Sequence, residues 1–468
     1  MSSKTSLDLS RRKFIGSCCA AVGTTGLLSA LAQLRLIGAV ASPSNTLTAT
    51  AASDYKALVC LFLQGGNDAN NLLIPNDTSG YAAYAAGRGA LALPQTGLLA
   101  LAPKTSDGRA FALHPSMPEF HSLFGQGKAA IMANTGTLVV PTTKAQYSSQ
   151  SVPLPPQLFS HSDQQVEWQS SVPDKPFSTG WGGRLADLTQ AFNSNNGISM
   201  SISLAGQNSF QVGRSVTQYS VGTNGVVSLT GSSTSTTSAS GIRTQAQNDL
   251  ISSQSGNLFK TAFAGITKDA IADSALLAQY VGASAPIPFT TTFPTTSLGQ
   301  QLRMIARLIA TAPNLGLKRQ IFFARVGGWD LHDNQLGAHA TLLADLSTSL
   351  KSFYDSTVEL GVANQVTTFT ASDFGRTFNT NGDGSDHGWG SHHLMVGGAL
   401  QGNDIYGRVP DLTINGPDDT GRGRWIPTTS VDEYSATLAR WFGVSATDLP
   451  TVLPNIGRFA KPNLGFLG

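Results

Sequence analysis

Five short apolar runs, Ala57–Leu63, Ala129–Ala133, Gln320–Arg325, Gln365–Thr370 and His393–Leu400, constrain this chain most. Each is too short for a helix, and most are followed by glycine or a polar turn, so each predicts a strand buried on both faces. Between them lie patterns of helical period: Leu302, Ile305, Ala306 and Ile309; then Leu342, Leu343, Leu346 and Leu350; and a final helix over Asp432–Phe442, with Ser430 as N-cap. Strands alternating with helices predict an α/β fold, a mostly parallel central sheet with helices on both faces. Residues 197–242 read differently. Their Ser/Thr/Val/Gly alternation and the tract Gly231–Thr237 predict a β-rich insertion of hairpins ending in a low-complexity loop. The length prior allows about three domains, and equally one large α/β domain spanning 42–468 with that insertion.

The N-terminus reads as an address. Arg11, Arg12, Lys13 and Phe14 precede an uncharged, weakly apolar stretch to Leu34, and Ala39-Val40-Ala41 supplies a small-x-small cleavage site. Residues 1–41 therefore read as a signal peptide, and the paired arginines resemble a twin-arginine export signal. A periplasmic or secreted protein follows, with the twin-arginine machinery as partner and no stable membrane anchor after cleavage. Composition agrees. Removing those residues takes away five basic and one acidic side chain and leaves 25 basic against 27 acidic, a net charge of −2. That balance gives no electrostatic basis for binding nucleic acid. Only Cys60 remains in the mature chain, inside an apolar run, and reads as an inert core thiol.

In α/β sheets, ligands bind beyond the carboxyl ends of strands. Three predicted strands end in polar, glycine-rich turns: Gln64–Asn71, Gly327–Asn334 and Ser372–Arg376. The last is followed by Asp386-His387-Gly388-Trp389-Gly390-Ser391-His392-His393, which holds three of the eight histidines. Asp68, Asp330, His332, Asp373, His387, His392 and His393 are the candidate ligands. Carboxylate and imidazole together suit zinc or manganese, with magnesium or calcium where oxygen dominates. An Asp in such a turn also serves as an ordinary cap, and His114 reads as structural. The motifs of P-loop enzymes, Ser-elbow hydrolases and zincins are absent from the sequence.

The export signal, the motifs Leu61–Asn71 and Gly328–His332, and the stretch Ser372–Gly398 resemble an exported bacterial family of unknown function, domain family 1501, placed in the alkaline-phosphatase-like superfamily. The resemblance covers nearly the whole mature chain. It implies a phosphatase- or sulfatase-like hydrolase of an anionic ester with one or two divalent ions. Asp68, Asp373 and His387 would hold an ion beside the nucleophile. Asp330, His332 and His392 or His393 would hold one beside the leaving group, with His339 an alternative to His332. Phe374 stands where the superfamily has a histidine, so either His387 replaces that imidazole or the site is depleted. The nucleophile implied is Thr142 or Ser160, each also an ordinary helix cap, and Arg376 would neutralise the substrate or pair with a carboxylate. A non-catalytic module of the same fold, binding an envelope partner or polymer, is the alternative.

Overall fold

The computed structural model describes residues 55–468, except 195–197, 227–232, 234, 254–256 and 283. The expected signal segment lies outside the described residues, as does much of the low-complexity loop. A ten-stranded sheet is built from β1 (Lys56–Leu63), β2 (Ala129–Gly136), β3 (Ser201–Ser203), β4 (Tyr219–Gly222), β5 (Gly225–Val226), β6 (Arg319–Val326), β7 (Val366–Ser372), β8 (Ser391–Gly397), β9 (Ile405–Tyr406) and β10 (Thr429–Ser430). The spatial order is β9-β2-β8-β7-β1-β6-β3-β4-β5, with β10 also on β2. Strand β1 pairs in parallel with β6 and β7, and β3 with β6 and β4.

All five predicted strands are present. They read as unbroken apolar runs because both sheet faces are covered. Along β1, Val59, Leu61 and Leu63 enter one core while Leu58, Cys60 and Phe62 enter the other. Helices of matching period close the first face: Leu302 and Ile305 from Ser297–Ala310, and Leu343, Leu346 and Leu350 from Gln335–Glu359. Trp181 and Leu185 of Trp181–Thr189, with Tyr434 and Leu438 of Val431–Phe442, close the second. That last helix starts at the expected N-cap. Ser430 and Glu433 form a reciprocal capping box. Cys60 is a buried free thiol.

Two expectations need correction. The run over His393–Leu400 is a strand, but it begins at Ser391 and runs antiparallel to β7 and β2. The chain between β7 and β8 forms only a hairpin, and a parallel return needs a crossover of a dozen or more residues, usually a helix. The stretch 197–242 is only partly an insertion. Ile202 pairs with Phe322, so β3 belongs to the central sheet, while Val221 and Val226 do form a hairpin. Two helices that the sequence reading lacked follow, Ala239–Ser252 and Leu258–Val281, with Leu250, Phe259 and Phe263 exposed. No helix of the described residues is long and apolar enough to cross a membrane.

Buried titratable groups set the pH dependence of stability. Desolvation lowers His114 and His392 to about 4 and His339 and His393 to about 3, and raises Glu167 to about 8 and Asp432 to about 7. A buried neutral histidine binds fewer protons folded than unfolded, so its contribution is lost as pH falls below 6.5. A buried acid with a raised pKa binds more protons folded, so its contribution is lost as pH rises through the unfolded and then the folded value. Between its unfolded and folded pKa each such group changes stability by about 1.4 kcal/mol per pH unit. Unfolding free energy should therefore peak near pH 6.5 and fall by about 1 kcal/mol toward pH 8, because the last protons leaving the unfolded histidines offset part of the loss from the two acids. Denaturant melts across that range check this, and a rise between pH 6.5 and 8 contradicts it.

Candidate metal centre

Register brings three chain segments to one edge. Leu63 is level with both Ser372 and Val326, so the turns after β1, β6 and β7 emerge side by side. The fit between them is close. A Cβ at Gly65, whose φ is +123°, would lie 2.4 Å from the Asp330 amide nitrogen, and one at Gly66 would lie 2.6 Å from the Phe374 ring. Only glycine lets the first turn approach both neighbours.

The side chains that meet above this edge are His161, Asp330 and His387, whose ligand atoms all lie within 4.8 Å of one another. His161 Nε2 is 3.1 Å from His387 Nε2. Asp330 Oδ1 is 3.4 Å from the first and 3.3 Å from the second. His332 Nε2 lies 3.0 Å from both Asp330 Oδ1 and His387 Nε2. The outer nitrogens fix the tautomers. His161 Nδ1 meets Asp373 Oδ2 at 2.6 Å, and His387 Nδ1 meets the Phe159 carbonyl at 2.7 Å. Both oxygens are acceptors, so both Nδ1 atoms carry hydrogen and both Nε2 atoms face inward. Two inward lone pairs 3.1 Å apart repel unless a proton or a cation lies between them. Nitrogen and oxygen ligands about 2.0–2.2 Å from a tetrahedral zinc stand roughly 3.3–3.5 Å apart, close to the separations of His161, His387 and Asp330. The residues present thus fit a divalent ion, with outer partners on both imidazoles of the kind that orient metal-bound histidine.

The two imidazoles differ electrostatically. The Asp373 hydrogen bond raises the His161 pKa against the opposing effect of burial, whereas burial lowers that of His387. Burial works to raise Asp330, but the Arg376 hydrogen bond and charge outweigh it and hold the carboxyl below its ordinary value. Phe374 forms a wall, its ring centroid 4.7 Å from each of His161 and His387. It does not replace a ligand; it packs against the two imidazoles.

The other expected residues are placed as follows. Asp373 lies behind His161, outside the cluster; Oδ1 accepts from the Gly65 amide and Oδ2 also accepts from Gln165, at 2.7 Å. Asp68 is not brought into the cluster. It is 1% exposed, ion-paired with Arg88, and accepts from Gln335 Nε2 and from the amide and side chain of Asn70, which fills its lone pairs. Arg376 is not a free anion receptor. It is buried, and its guanidinium donates to Gly66, Ser385, Gly65 and Trp329 carbonyls and to Asp330. It is a tie between loops that holds Asp330 in place.

His392 and His393 are corrected to core residues. Strand β8 carries both inward to opposite faces. His392 Nδ1 accepts from the Asn134 amide, and His393 packs against Trp168 and Tyr434. His339 is also buried, bonded to Asn67, and His114 accepts from the Ser116 amide. Thr142 donates to the Val140 carbonyl and lines a separate cavity of about 1030 Å³ that no residue of the cluster lines. Ser160 stands at the N-cap position of the helix His161–Ser170, one residue from the cluster, and its hydroxyl donates to Asp163 at 2.5 Å. His161 is the member of the cluster that sequence analysis did not identify. Its signal was a histidine at the very start of a capped helix, in a chain with eight histidines.

A comparison with curated proteins finds no match. Among solved structures, the fold is similar to the lipoteichoic acid synthase LtaP from Listeria monocytogenes, with 9% identity, 89% of this chain and 78% of that one covered, and a TM-score of 0.35. It is also similar to the PsFucS1 sulfatase from Pseudoalteromonas sp., with 12% identity, coverages of 94% and 77%, and a TM-score of 0.34. Likeness at this level carries no argument about activity. The model of the family described as "Protein of unknown function (DUF1501)" matches residues 55–422, and the chain belongs to that family.

Proposed function

We propose that this protein is a metal-dependent hydrolase of phosphate or sulfate esters, exported by the twin-arginine route to the periplasm or beyond. The observation that carries the reading is the convergence of His161 Nε2, His387 Nε2 and Asp330 Oδ1, with both outer nitrogens held by acceptors. These three residues, with His332 beside them, would hold a divalent ion, zinc or manganese by the character of the donors. When bound, such an ion supplies Lewis acidity and positive charge for a transferring phosphoryl or sulfuryl group. The geometry supports one ion and not two, since Asp68 is taken by Arg88.

The protein's own groups do the remaining work. Asp373 and the Phe159 carbonyl keep hydrogen on the outer nitrogens, Arg376 fixes the Asp330 carboxylate, and Phe374 excludes water from one side. Ser160 is the candidate nucleophile, because Asp163 already accepts its hydroxyl hydrogen and can receive the proton.

The test is a panel of phosphate and sulfate monoesters and diesters offered to protein of known metal content. Activity that falls by at least about 10²-fold in both Ser160→Ala and Asp330→Asn supports the reading, the former with metal retained. Metal-replete wild-type protein inactive on the whole panel favours a binding module instead. The saturation of Asp68 and Arg376 by protein partners is the observation on that side.

A further inference from the structure

We infer that Arg424 is the anion receptor of this site, the role that the sequence reading gave to Arg376. The inference rests on the proposed ester-hydrolase reading for its substrate class, a tetrahedral phosphate or sulfate group. The two arginines differ in what their guanidinium groups have left to give. Arg376 is buried and every nitrogen of its fork is engaged. Arg424 is half-buried and held at two points: Nε donates to the His387 carbonyl at 2.9 Å, and the guanidinium carbon sits 4.6 Å above the Phe159 ring. Both terminal nitrogens lack an acceptor among the described residues, and no carboxylate pairs with the group.

Its two anchors are parts of the centre. His387 is a proposed ligand, and the Phe159 carbonyl holds the outer nitrogen of that ligand. The stacked fork is therefore anchored on the two residues that carry the His387 side of the cluster, and it presents free N–H donors without further ordering. Such a fork suits bidentate binding of a tetrahedral oxyanion. The nearby Arg422 is different, since Asp386 already pairs with it.

Isothermal titration with inorganic phosphate, and separately with sulfate, tests this on wild type, Arg424→Met and Arg424→Lys, each with and without added zinc. Met keeps apolar contact with Phe159, and Lys keeps the charge without the fork. Affinity for at least one anion should fall about tenfold or more in Arg424→Met and only partly recover in Arg424→Lys, with metal content unchanged. Equal affinity in wild type and Arg424→Met, or binding of neither anion by wild type in either form, overturns it. Wild type that takes up no zinc would instead defeat the metal-centre reading, while the zinc-free titrations still decide the role of Arg424. An Arg376→Met variant serves as contrast, because it should lose metal affinity through Asp330.

Discussion

Replacing His161 with alanine should remove stoichiometric binding of a divalent ion. His161 supplies one of three ligand atoms that lie within 4.8 Å of each other, and no other imidazole stands on its helix to replace it. Loss of an outer partner alone typically costs about 10–100-fold in metal affinity, which is the expectation for Asp373→Asn. Removing the ligand itself should exceed that range. The control separates the structure from the first reading of the sequence. His393→Phe should bind metal as wild type does, because His393 is buried against Trp168 and Tyr434. Metal content after dialysis, with competition against a chelator for affinity, checks all three. Metal lost in His393→Phe and retained in His161→Ala would reverse the assignment.

The largest effect on stability should come from Arg88. Its side chain is 0% exposed, it pairs with an Asp68 side chain that is 1% exposed, and it donates to Asn71 and to the Thr377 and Phe378 carbonyls. Arg88→Met leaves a buried carboxylate without its cation, and that costs about 3–5 kcal/mol. Removing both charges, as Arg88→Met with Asp68→Leu, should recover part of the loss, because the penalty lies in the unpaired charge and not in the missing pair. Denaturant midpoints at unchanged m-value measure both. A cost below about 1 kcal/mol for Arg88→Met would show that Asp68 finds compensation elsewhere, as a metal ligand would.

The fold was legible because its strands are covered on both faces. A run such as Ala57–Leu63 leaves no other reading once glycine follows it, and register then puts the Asp330 and Asp373 turns together. Strand direction was harder. Nothing in His393–Leu400 itself reveals that it returns antiparallel; that depends on the helix-free connection before it. The predicted boundary at His393 left His392 outside the strand. Starting the strand at Ser391 puts His392 and His393 in the sheet, where alternation sends them into opposite cores.

The site was half legible. Asp330 and Asp373 follow from the strand-end rule and His387 from the histidine-rich stretch after it, although Asp373 meets His161 Nδ1 and stays outside the cluster itself. Asp68 obeys the same rule and fails, because an acid in a Gly/Asn turn looks identical whether it faces a cation or an arginine twenty residues away. His161 was hidden for the opposite reason. It stands on a helix far in sequence from the rest of the cluster, and Ser160 beside it already explained the local pattern as a helix start.

The most direct test is anomalous diffraction from crystals grown with zinc. A peak about 2.0–2.2 Å from His161 Nε2, His387 Nε2 and an Asp330 oxygen is the predicted result. A peak beside Asp68 or between His392 and His393, or none anywhere near His161, would contradict it.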